Sequence, residues 1–155
     1  MKKCLPILLL LLCFGAAAQT IRIADNNTNA PTGTNIFSGT NALQNAISAA
    51  QQDDIVYIQP SVTSYGDATV GKRITIKGAG FGISELGSRT STVGILTIVN
   101  SDNGTNSISE AKFTGFSFNS ISFVAGTGGT PYNNIIFENI SGNTLNHTNC
   151  VPAVD

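Results

Sequence analysis

Charge is scarce in this chain. Lysine, arginine, aspartate and glutamate together make up 11% of the 155 residues and nearly cancel, at a formal net charge of −1. Holding a nucleic-acid backbone takes clustered lysine and arginine, so a nucleic-acid partner is disfavoured. Histidine occurs once, at His147, and cysteine three times. No zinc ligand set, nucleotide-binding loop or Ser/His/Asp arrangement can be assembled from what is present. Apolar residues nevertheless reach 41%, too many for a disordered chain. The remainder is dominated by asparagine, threonine, serine and glycine, which suits an exported β structure whose turns and outer faces are polar but uncharged.

A long hydrophobic run is also missing. Lys2 and Lys3 are followed by an apolar stretch over 5–14, then by Gly15, Ala16, Ala17 and Ala18, the three-part pattern of a secretory signal peptide. A helix needs roughly 20 apolar residues to cross a ~30 Å hydrocarbon layer, and this stretch has about half of that. Residues 1–18 are therefore read as a signal peptide, with no membrane anchor after cleavage and a secreted, extracellular or cell-surface location. Cys13 stands where a lipid-attachment cysteine would, but Leu12 and Phe14 beside it are too bulky for that site. Cleavage removes Cys4 and Cys13 and leaves Cys150 with no partner for an internal disulfide. The exported part fits one domain.

Residues 19–39 read as an extended leading segment with a short β-like start at "TIRIA". In "TNALQNAISAAQQDD", Leu43, Ala46, Ile47 and Ala50 fall at the spacing of one helical face, predicting a helix over 42–51 with Thr40 or Asn41 as its cap. After Asp54 the helical period stops. Apolar doublets at alternate positions follow: Val56/Ile58, Ile74/Ile76, Leu96/Ile98, Ala111/Phe113 and Ile135/Phe137. Alternate strand residues share a side, so each doublet can bury both members. The doublets recur about every twenty residues, the mark of a solenoid of about five coils over 40–143. A β-sandwich also uses short strands between turns, but no stretch here looks like a tight hairpin. Corners recur instead in "ITIKGAGF", "KFTGFSF" and "IFENISGN", where Gly78, Gly115 and Asn139 suit the left-handed backbone of a sharp bend. Residues 144–155 read as a polar tail too short to cover the last coil, which predicts further coils beyond the end of this sequence and self-association through the open one.

With its corners assigned, the chain resembles the right-handed parallel β-helix superfamily of pectate lyases and related polysaccharide-active proteins. The resemblance rests on "ALQNAISAAQQDDIVYIQP" and "YGDATVGKRITIKGAGFG", with Lys72, Ile74, Ile76, Gly78 and Gly80 in the matching pattern, and covers about 40–143. It implies an all-β solenoid, a right-handed parallel β-helix with one N-terminal capping α-helix, present as its N-terminal portion. It also implies a polysaccharide partner and, in a longer form, a Ca2+ ion, for which the residues here present no site. Fold alone does not set activity. The same start precedes lyases, hydrolases and non-enzymatic adhesins or structural solenoid modules.

Stacked coils line up outward residues in rows. The row inside the doublets is predicted as Tyr57, Thr75, Thr97, Lys112 and Ile136, and the next as Gln59, Lys77, Val99, Thr114 and Glu138. Tyr57, Lys77, Lys112 and Glu138 are the candidate substrate-binding residues; an exposed sheet face of β-favouring residues reads the same way. A uronate lyase needs a base and a cation-holding carboxylate cluster; Lys77 and Lys112 are bases without such a cluster. A hydrolase needs two facing carboxylates, and Glu110 and Glu138 fall on different sides of the strand pattern. No catalytic set is identifiable. Asp53 and Asp54 read as solvated turn residues rather than calcium ligands. Sequons at Asn26, Asn103, Asn139 and Asn146 are of the number chance gives in so asparagine-rich a chain.

Overall fold

The structure, a computed structural model, describes residues 18–27, 29–80, 90–100, 108–124, 132 and 134–148. Most of the segment 1–18 read as a signal peptide, the sequon at Asn103 and Cys150 lie outside these residues. The elements in chain order are β1 (Ile21–Asp25), β2 (Ile36–Ser38), α1 (Ala42–Ala49), β3 (Ile55–Ile58), β4 (Ala68–Val70), β5 (Thr75–Gly78), β6 (Thr92–Val99), β7 (Lys112–Thr114), β8 (Ser117–Val124), β9 (Ile136–Glu138) and β10 (Ser141–Thr148). Among the described residues two sheets hold all the strands: β2-β1-β3-β5-β7-β9 and β10-β8-β6-β4. Every strand pairing is parallel. From β3 onward the chain alternates between the sheets, each visit adding one strand beside the last. Parallel neighbours cannot be joined by a tight hairpin, and here the connection passes through the opposite sheet. The parallel pairing sets aside the antiparallel sandwich.

The core lies between the sheets. Val56, Ile76 and Phe113 share a row and are fully buried, with the half-buried Phe137 next in it. Ala68, Leu96 and Ile121 form a buried row on the second sheet. Leu96 and Ile98 thus belong to β6 of the second sheet and do not stack on Ile76. The doublet pattern reports burial but not the sheet that supplies it. At the β9 end, the Phe137 ring stacks on Phe113 with centroids 5.2 Å apart and meets Phe123 edge-on at 6.1 Å. Such pairs contribute about 0.5–1.5 kcal/mol beyond area burial.

The helix packs against β1, β2, β3 and β4. Leu43, Ala46, Ile47 and Ala50, the face expected from spacing, are all buried. Its start differs from expectation: Asn41 stands at the N-cap without a side-chain hydrogen bond, and the Ala42 N–H donates to the Gly39 carbonyl instead. At the other end Lys72 Nζ donates to the carbonyls of Ala50, at 2.8 Å, and Ser48, at 3.3 Å. A lysine there satisfies orphan carbonyls and opposes the negative end of the helix dipole. Burial, with Arg22 nearby, lowers the Lys72 pKa despite the Asp54 charge.

The segment 19–39 is not merely extended: β1 lies inside the first sheet between β2 and β3. Asp54 secures it. Its carboxylate is buried and accepts from the Thr20 amide at 2.9 Å, the Gln51 amide at 2.8 Å and Arg22 Nε at 3.1 Å. Asp54 is therefore neither a solvated turn residue nor free to hold a cation. At the other end of β1 the buried Tyr65 hydroxyl lies 3.0 Å from the Ala24 carbonyl and 2.9 Å from that of Gln59, shares its one proton between them, and accepts from the Asn26 amide at 3.3 Å. The sequence reading assigned Tyr65 no role.

The last boundary also moves. Where a polar tail from 144 was expected, β10 runs through Thr148, paired with β8 from Ser141↔Ser117 to Thr148↔Val124.

Candidate functional site

The corners after the strands of the first sheet shape a shallow cleft. Gly115 (φ 72°) and Asn139 (φ 50°) hold the left-handed conformation expected of them, and so does Gly80 (φ 100°). Gly78 does not. Its need is for space: a Cβ there would overlap the Gly115 carbonyl oxygen and crowd the Phe116 Cβ at 2.8 Å. The Gly80 amide donates to that same carbonyl at 2.7 Å, locking successive corners together. Lys77, Gly78, Ala79, Gly80, Thr114, Gly115 and Asn139 line an open cleft of about 450 Å³.

Pairing register rearranges the predicted rows. Tyr57 pairs with Lys77, Lys77 with Thr114 and Thr114 with Glu138, which makes one row. Ile55, Thr75, Lys112 and Ile136 make the next. Tyr57 accordingly takes the place expected of Gln59, and Thr97 and Val99 leave both rows because they lie on β6 of the other sheet. The miss at Tyr57 comes from aligning Ile58 with Ile76; in the structure Ile58 pairs with Gly78 and Val56 with Ile76. All four candidates still lie on the outer face of one sheet. Strands are about 4.8 Å apart, so Tyr57 and Lys77 are immediate neighbours while Lys77 and Glu138 are two strands apart.

Electrostatics divide the face. Lys112 Nζ lies 2.8 Å from Glu138 Oε2, both side chains partly exposed. Lys77 is exposed and has no carboxylate partner among the described residues. Glu110, the other carboxylate considered, sits just before β7 and faces Arg73 at 3.4 Å. Arg73 also grips Asp53 through Nε at 2.6 Å and a second guanidinium nitrogen at 2.8 Å. That hydrogen bonding holds the Asp53 carboxyl below its usual range. Glu110 and Glu138 are thus committed to different cations and do not face each other across a cleft. Among the described residues no group of three or more His, Cys, Asp or Glu side chains is placed to hold a metal, and no helix is long and apolar enough to cross a membrane. No protein-family model, curated protein or solved structure matches the chain.

Proposed function

We propose that this chain is an exported right-handed parallel β-helix of the pectate lyase-like kind, with α1 as its N-terminal cap, and that it binds an acidic polysaccharide along its first sheet without cleaving it. The chain's alternation between two all-parallel sheets supports the solenoid reading, and crossovers joining parallel strands are right-handed in roughly 98% of cases. The observation that carries the binding reading is the exposed Lys77 lining the cleft, with no carboxylate partner among the described residues and with Tyr57 one strand away in the same row. A lysine offers a point charge to a uronate carboxylate, and a tyrosine ring offers an apolar face to a sugar with a hydroxyl at its tip. Glu138 ends that row, held by Lys112 of the neighbouring one.

Binding of polygalacturonate and alginate, measured by calorimetry on the secreted chain, is expected to be lost on Lys77→Ala, reduced on Tyr57→Ala and weakened by salt, with neutral dextran as the unbound control. No turnover is expected, with or without Ca2+. Binding that is indifferent to Lys77→Ala would remove the polysaccharide reading. It would leave the second one, a non-enzymatic adhesin or structural solenoid module, which the mutual neutralisation of Lys112 and Glu138 favours.

Self-association belongs to either reading. Among the described residues β9 and β10 each have one unpaired edge, and Ile135, Phe137 and Ile140 beside them are only partly buried. Open strand edges are templates for another chain. Sedimentation of the purified chain should show concentration-dependent dimers, and proline at Leu145 should abolish them; a monomer at all concentrations would refute the open edge.

A further inference from the structure

A second cavity of about 450 Å³ opens where β1 and β3 end, lined by Asp25, Asn26, Asn27, Asn29, Ala30, Ser61, Val62 and Thr63. It is on the same carboxyl-terminal edge of the first sheet as the Lys77 cleft, after β1 and β3 rather than β5 and β7.

The hydrogen bonding around this cavity is one-sided. Asp25 is only 9% exposed, and no lysine or arginine pairs with it among the described residues. Its Oδ1 accepts from the Asn27 amide at 3.0 Å and from Asn27 Nδ2 at 2.6 Å; no described donor reaches Oδ2. The Asn26 amide orientation is set by its Nδ2, which donates to the Ser64 carbonyl at 3.0 Å, the Thr63 carbonyl at 3.3 Å and Thr63 Oγ1 at 3.2 Å. Flipping it would press oxygen against two carbonyls. Asn26 Oδ1 is left buried with no donor. The Thr63 amide is likewise spent, on Ser61 Oγ at 3.1 Å. Asp25 Oδ2 and Asn26 Oδ1 are left without a described donor, whereas the Ser61 and Thr63 oxygens already accept and keep only spare lone pairs.

A buried carboxylate without a counter-charge is costly, and the leftover groups are the oxygens that hard cations take. We propose that this cavity binds a divalent cation of the calcium type through the Asp25 carboxylate and Asn26 Oδ1, with water and the remaining lone pairs of the Ser61 and Thr63 oxygens completing its shell. With one carboxylate, the site belongs with the weak calcium modules that bind at about 10⁻⁴–10⁻³ M. Asp25 already acts on its neighbour: burial pushes the Tyr65 hydroxyl up to about 12, with the Asn26 amide opposing and the Asp25 charge adding to the rise.

Tyr65 makes the site observable. The chain has no tryptophan, and the Tyr65 hydroxyl is 3.3 Å from the Asn26 amide, so terbium in the cavity should emit when tyrosine is excited. Terbium added to the secreted chain is expected to give saturable emission that millimolar Ca2+ displaces and Na+ does not. Asp25→Asn and Tyr65→Phe should each abolish the emission, while Asp53→Asn, at the opposite end of β3, leaves it intact. Ca2+ should raise the thermal midpoint of the wild type and of Tyr65→Phe alike, which keeps the test decisive if Asp25→Asn does not fold. Absence of emission, emission surviving either cavity substitution, or a midpoint indifferent to Ca2+ would overturn the proposal.

Discussion

Replacing Phe113 with aspartate is expected to abolish the cooperative unfolding transition, while Glu138→Ala leaves it within about 1 kcal/mol of the wild type. Phe113 is fully buried, lies in a row between Ile76 and Phe137, and stacks on the Phe137 ring. Loss of a core phenylalanine alone costs roughly 3–5 kcal/mol, and an unpaired carboxylate in that space adds several more. A domain of this size has about 5–15 kcal/mol in total. Glu138 is half exposed and its partner Lys112 is also near water, so its loss breaks a weak pair. Phe137→Asp should have the same sign as the first change and a smaller size, because Phe137 is only partly buried. Urea titrations followed by circular dichroism rank the variants. Equal midpoints for Phe113→Asp and Glu138→Ala would mean that the assigned inward face is wrong.

The second large effect is expected at Asp54. Asp54→Ala should cost about 3–5 kcal/mol, the range for removing one partner of a buried ion pair. It removes the counter-charge of Arg22, whose side chain is 13% exposed and keeps its bond to Asn35 Oδ1, and it strands the amides of Thr20 and Gln51. Its pH dependence follows from the same contacts. Burial pushes the carboxyl up, but hydrogen bonds from Gln51, Thr20 and Arg22 and the Arg22 charge outweigh burial and leave the pKa lowered. A depressed carboxyl pKa stabilises the fold fully above the unfolded value of about 3.9, and that contribution is lost as pH falls through the folded value. The wild type should therefore lose stability below about pH 4 more steeply than Asp54→Asn does. Parallel acid titrations of the two proteins would contradict this role for Asp54.

Where burial was periodic, the sequence could be read. Leu43, Ala46, Ile47 and Ala50 marked the helical face, and Val56, Ile58, Ile74, Ile76 and Phe113 marked the inner face of the first sheet. Where pairing proceeds without burial, the reading failed. β10 reads "SGNTLNHT", and its one large apolar residue, Leu145, is 66% exposed; backbone ladder bonds hold it to β8, and these leave no trace in side-chain pattern. β4 is three residues long with threonine at its centre, too short for alternation to show a second sheet, so Leu96 and Ile98 were joined to the wrong stack. The four candidate residues were placed on one face because outward positions are legible from the doublets. Their exact neighbours depended on register, which small residues such as Gly78 set by permitting close approach. The Asp25 cavity was invisible because its parts come from two distant corners and only one of them is charged.

The alternation of the chain between two sheets has a mechanical consequence. Among the described residues β10 is bonded only to β8, and β9 only to β7, each pair separated by one passage through the other sheet. Drawn from its carboxyl end along the stack, the protein would yield strand by strand, each rupture releasing a length set by the stretch between consecutive partners such as Lys112 and Ile136. Resistance to load is then shared among many small steps, and the last to give way is the end where α1 packs on β1 and Asp54 ties Thr20 and Arg22 to the turn before β3.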